Sequence, residues 1–130
     1  MLGKYPVNAY IPASDVARAR TFYEGMVQLK VKDAGDAGVL YECGQGTQAY
    51  LYQSSGAGTN KASTLFWAVD DFDAEIKELR ARGVKFEEYD MPGLKTKNGI
   101  AGEPGDRAAW FKDTEGNILA IIEEGRGLRR

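Results

Sequence analysis

The order of elements in this chain repeats once, and that repeat limits the possible folds more than any single motif does. Lys4 to Pro12 (KYPVNAYIP) is rich in aromatic and β-branched residues and ends at a proline, as a strand does. Ser14 or Asp15 is placed to cap a helix running to about Met26, with Val16, Ala19, Tyr23 and Met26 on one stripe and Arg18 and Arg20 off it. Three strands are expected next, at Leu29–Lys32, Val39–Cys43 and Gln48–Gln53. Turn residues separate them, at 33–38 and at Gly44-Gln45-Gly46.

The second half follows the same plan. Ser63–Val69 (STLFWAV) is a strand, and Asp70 is the expected N-cap with Asp73 in the first turn. Phe72, Ile76 and Leu79 lie at helical spacing, and Gly83 stands where a helix ends. Val84–Glu88 (VKFEE) alternates like a half-buried strand, Arg107–Lys112 is another, and Asn117–Glu123 closes the chain after the turn at 113–116. A period of roughly 55–60 residues occurring twice indicates a duplicated module, not a solenoid. The expected class is α+β, with two βαβββ modules in tandem forming a cupped, half-barrel mixed sheet and one helix per module. The whole chain, 1–130, is read as one domain, with module one at about 4–54, a linker at 55–62 and module two at about 63–124.

Composition narrows the function. The chain contains no histidine, which removes the commonest general base and metal ligand and every Ser-His or Cys-His nucleophile. Cys43 is the single cysteine, so neither an internal disulfide nor a cysteine-held zinc is available, which fits a reducing compartment. Net charge is -2 with both signs scattered, against a nucleic-acid partner; the basic cluster Arg126, Arg129 and Arg130 is confined to the tail. No apolar run approaches the ~20 residues that cross a bilayer. The opening MLGKYPVNAYIP lacks the apolar core of a signal peptide, so a cytoplasmic location is expected.

IPASDVARARTFYEG, FWAVDDFDAEIKELRARGVKF and AWFKDTEGNILAIIEE, taken together and in this order, resemble the vicinal-oxygen-chelate superfamily of glyoxalases, bleomycin-resistance proteins and dioxygenases. The stretch DMPGLKTKNGIAGEPGDRAAWFKDTEGN is similar to a common bacterial branch of it. The resemblance implies paired βαβββ modules, dimerisation, and in the enzymes a divalent ion held by side chains from four strands. Carried over by register, those ligand positions fall on Asn8, near Tyr50, on Thr64 and on Ala120. Amide, phenol, hydroxyl and methyl do not make a divalent-ion site at neutral pH, so no metal and no cofactor is expected. Glyoxalase, extradiol dioxygenase, fosfomycin-transferase and methylmalonyl-CoA-epimerase activities, which rely on that ion, are not expected either. The metal-free relatives include antibiotic-binding proteins that sequester a ligand in a cleft.

Strand alternation places residues in phase with the lost ligands on the cleft face. These are Asn8 and Tyr10, Gln48, Tyr50 and Tyr52, Thr64 and Phe66, and Ile118, Ala120 and Ile122, with Trp110 beside them. Such a set suits a flat, partly apolar molecule; it is also what fills the interior of a cupped sheet. The expected ligand-binding residues are Asn8, Tyr10, Tyr50, Tyr52, Thr64, Phe66, Trp110 and Ala120. Cys43 reads as a structural thiol, and Gly44-Gln45-Gly46 as a turn, not a phosphate loop.

Three functions follow in order. The first is a metal-independent binding protein for an aromatic or amphipathic, antibiotic-like compound, acting as a homodimer. The second is a metal-independent lyase or isomerase using a tyrosine or a carboxylate, for which Glu42 and Asp90 are the candidates. The third is an interaction module with a vestigial cleft. The long Gly- and Pro-rich stretch at 90–106 is expected to act as a lid or a dimer contact.

Overall fold

The computed structural model describes residues 1–124, so the basic tail Arg126, Arg129 and Arg130 lies outside the described residues. The first half contributes β1 (Ala9–Ala13), β2 (Lys30–Gly35), β3 (Gly38–Glu42) and β4 (Gln48–Gln53), in sheet order β1-β4-β3-β2. The second contributes β5 (Ser63–Val69), β8 (Ile100–Ala101), β9 (Ala108–Lys112) and β10 (Ile118–Glu123), in order β5-β10-β9-β8. In each sheet the first strand runs parallel to the last, β1 to β4 and β5 to β10, and the remaining pairs are antiparallel. The fold is therefore the tandem βαβββ arrangement in two open mixed sheets. A two-stranded hairpin, β6 (Asp90–Met91) and β7 (Leu94–Lys95), stands apart.

The helices cover one face of the sheets. Helix α1 (Val16–Arg20) is capped by Asp15, whose side chain accepts from Arg18 N–H; α2 (Phe72–Ala81) is capped by Asp71, not by Asp70. After Arg20 the first helix widens into a π-helical stretch, Thr21–Met26, in which Val27 N–H reaches back to the Phe22 carbonyl. That widening lets two successive aromatics turn inward. Phe22 meets Phe111 of the second sheet (6.2 Å between centroids), and Tyr23 meets Tyr41 of the first (6.2 Å). Ile11, Tyr41, Leu51, Phe111 and Leu119 are fully buried in one cluster with these helices. Each of these strand residues is odd-numbered, so strand alternation turns the even-numbered side chains to the opposite face.

Several expected elements differ: the first strand begins at Ala9 and not at Lys4, and β2 runs on to Gly35 through residues expected as a turn. Val84–Glu88 forms no strand; it makes a single bridge, Phe86 to Phe111, with Glu87 N–H donating to the Trp110 carbonyl (2.8 Å). The free edge of β9 is shared with β8, which crosses close to Phe86: a Cβ on Gly99 would lie 2.5 Å from Phe86 Cβ. The stretch 90–106 is not featureless, since Thr96 bonds Tyr89 and Glu88, and Arg80 holds the Asn98 carbonyl.

Candidate functional site

The even-numbered face carries the expected ligand residues in two groups. On the first sheet, Tyr10 stands in register with Tyr50 on the adjacent strand, and Pro12 with Tyr52. The Tyr10 ring packs on Tyr52 (4.1 Å between centroids) and on Tyr50 (5.9 Å), yet keeps 62% of its surface exposed. On the second sheet, Ala120 of β10 lies in register between Phe66 of β5 and Trp110 of β9.

That row has a specific shape. Ala120 is 2% exposed while Phe66 is 51% exposed, so the methyl lies covered between two rings, one of them open to solvent. The two rings stand on strands about 10 Å apart along the sheet, one on either side of Ala120. Tyr89 braces the far ring, edge-on to Trp110 at 5.6 Å. Burial pushes the Tyr89 phenol up from its ordinary value, with Glu87 adding to the shift. Tyr89 is absent from the sequence-derived set, because it falls on the polar phase of VKFEE, with Lys85 and Glu87. No ring contact joins the tyrosine group to the Phe66–Trp110 row among the described residues.

The other expected residues are more scattered. Asn8 is exposed just before β1. Thr64 is half-buried at a register shift, where Ile118 pairs with Ser63 and Leu119 with Leu65, so Thr64 has no partner residue on β10. Glu42 is exposed at the end of β3, 3.3 Å from Lys30 Nζ, and Asp90 is exposed in β6 opposite Lys95. No ion pair or hydrogen bond joins either carboxylate to the aromatic groups among the described residues. Cys43 is half-buried, and burial raises its thiol above the ordinary value, which disfavours the thiolate.

The divalent ion of the enzymes does not fit here. Asn8, Tyr50 and Thr64 offer weak neutral donors, and Ala120 offers none. Among the described residues, no group of three or more His, Cys, Asp or Glu is arranged to hold a metal ion.

A sequence model of the Glyoxalase/Bleomycin resistance protein/Dioxygenase superfamily matches residues 7–121. The chain belongs to that superfamily. No curated protein matches it. Among solved structures, a superfamily member from Sphaerobacter thermophilus DSM 20745 is 26% identical, with a TM-score of 0.67 over 92% of this chain and 97% of that one. TnmS3, an antibiotic binding protein from Streptomyces sp. CB03234, is 25% identical, with a TM-score of 0.62 over 93% and 97%. A glyoxalase/bleomycin resistance protein from the same organism is 26% identical, with a TM-score of 0.62 over 89% and 99%. No helix among the described residues is long and apolar enough to cross a membrane.

Proposed function

We propose that this superfamily member is a metal-independent binding protein for a planar aromatic or amphipathic small molecule, acting in the cytoplasm as a homodimer. The observation that carries the reading is the row Phe66–Ala120–Trp110, two rings flanking a small residue, with Phe66 presented to solvent on the face the helices leave uncovered. The row recognises a flat ring by stacking, and Tyr10, Tyr50 and Tyr52 add phenol hydroxyls able to bond polar groups at its margin. Because those tyrosines do not touch the row within one chain, a second copy brings its own tyrosine group over it and completes the cleft. The likeness to an antibiotic binding protein is consistent with sequestration. The superfamily's metal is not needed for stacking, and the donor set does not hold it.

The test is a thermal-shift screen of EDTA-treated protein against aromatic antibiotics and metabolites, with and without divalent ions. A ligand present at 100 times its dissociation constant adds about 2.7 kcal/mol of stability. Stabilisation by an aromatic compound, unchanged by metals and lost in Ala120→Met, supports the reading. Stabilisation that requires a divalent ion contradicts it, and sedimentation showing monomers at micromolar concentration contradicts the dimer.

A further inference from the structure

A second cavity lies on the other side of the second sheet, beneath α2, with a volume of about 240 Å3. Its floor is Phe111 and Ile121, buried to 0% and 2% exposure, and Trp67, Val69 and Leu79 form its walls. Trp67 stacks on Phe111, 6.3 Å between centroids and 13° from parallel, and also lines a further cavity of about 220 Å3 beside β1. The indole is therefore the partition between two spaces. The space opens to solvent past Glu75, so a ligand would displace water from its apolar walls.

The rim gives the occupant its charge. Glu75 is the one ionisable residue lining the cavity, it is exposed, and its carboxylate makes no ion pair or hydrogen bond among the described residues. Asp71 and Asp73 precede it on the same turn, with Arg107 committed to Asp73 and Glu123. No cation lines the cavity. We infer that this space is a second ligand site, distinct from the aromatic face, which takes a fragment-sized apolar ammonium: the hydrophobic body against Trp67, Val69 and Leu79, the cation at the Glu75 carboxylate. Its volume lies below the ~300 Å3 at which drug-sized pockets begin, which sets the fragment size.

The site is tested in Trp110→Leu, which removes one aromatic wall of the outer row and leaves Trp67 as the sole tryptophan. Benzyltrimethylammonium, its uncharged carbon isostere neopentylbenzene, and phenylacetate are titrated while Trp67 emission is followed. The expected result is saturable binding with the cation roughly threefold tighter than the isostere, as an exposed ion pair supplies, and the anion weakest. Glu75→Gln erases the cation's advantage and leaves the isostere unchanged. Val27→Phe, which fills the cavity from its rim, abolishes both. Methyl resonances of Val69 and Leu79 shift with the cation in the Trp110→Leu protein, which locates the ligand even if the filled variant folds poorly. An absence of saturable binding, equal affinity for cation and isostere, or a Glu75→Gln protein that keeps the preference overturns the inference. Because the outer row is already broken in this background, none of these outcomes bears on the aromatic face.

Discussion

The two modules close their last hairpins with turns of the same length and the same end-to-end hydrogen bond. Cys43 N–H donates to the Thr47 carbonyl (2.8 Å) in the first, and Asp113 N–H donates to the Asn117 carbonyl (3.0 Å) in the second. The fourth residue of each is a glycine in the left-handed region, Gly46 at φ 77° and Gly116 at φ 86°. The side chains are opposites. Asp113, Glu115 and Asn117 are the buried polar residues of the described chain, whereas Gln45 is exposed and itself held at φ 56°.

The second turn uses its buried groups to join the modules. Asp113 accepts from Tyr23 Oη at 2.6 Å and from the Glu115 and Asn117 amides, and Asn117 donates to the Pro12 carbonyl at 2.8 Å. Glu115 accepts from Ser14, the Asp15 amide and Arg18, and the linker docks through Gly58 N–H to Asn117 Oδ1. The first turn makes only its own local bonds, and Cys43, Thr47 and Gln48 line an open cavity instead. One equivalent turn serves as a latch between modules. The other makes only local bonds among the described residues.

Breaking the latch gives the largest effect. Asp113→Ala strands a buried tyrosine hydroxyl and an asparagine amide, and is expected to cost about 3 kcal/mol or more in chemical denaturation. Cys43→Ala, at the matching position, is expected to cost under about 1 kcal/mol. Equal losses would dissolve the comparison.

The latch also titrates. The Arg18 guanidinium, with the Asp15 amide and the Thr114 and Ser14 hydroxyls, holds the Glu115 carboxyl down from 4.5 to about 2. A carboxyl lowered on folding stabilises fully above its unfolded value and loses that contribution as pH falls through its folded one. Stability is therefore expected to fall between about pH 4.5 and pH 2, and Glu115→Gln to flatten that part of the profile. Glu123, lowered to about 2 chiefly by Arg107, contributes in the same window and keeps the flattening partial. An unchanged acid limb would remove Glu115 from the latch.

Much of this fold is legible in the sequence, because periodicity is local. Gln48–Gln53 and Ser63–Val69 form with the expected limits. The even-numbered phase of Tyr10, Tyr50, Tyr52 and Phe66 also follows from alternation alone. The latch was not legible: Ser14 and Glu115 meet across 101 residues, and no local rule pairs a helix corner with a distant turn. The π-helical stretch was hidden for a similar reason, since it answers to Phe111 and Tyr41 in two different sheets. Val84–Glu88 alternates like a strand but competes with β8 for one edge, and periodicity does not rank such competitors.

Smaller effects sharpen the contrast between the two sheets' open faces. Removing a stacking wall by Phe66→Ala is expected to weaken a planar aromatic ligand about fivefold, the loss of roughly 1 kcal/mol, with little change in melting temperature. Tyr10→Phe, which keeps the ring and deletes the hydroxyl, is expected to weaken it less, and only for ligands bearing a polar margin. Smallest of all, Gln45→Gly relieves a left-handed non-glycine residue in a turn that holds nothing, and is expected to change stability by less than about 0.5 kcal/mol.

The central claim, that the Phe66–Ala120–Trp110 row binds a flat ring without a metal, is tested most directly by fluorescence of Trp67→Phe, in which Trp110 is the sole tryptophan. The EDTA-treated protein is titrated with anthraquinone-2-sulfonate, then with zinc or manganese added. The account predicts saturable quenching of Trp110 at one ligand per chain, unaltered by the metal and lost in Ala120→Met. Quenching that begins only after the metal is added, or that persists unchanged in Ala120→Met, would contradict it.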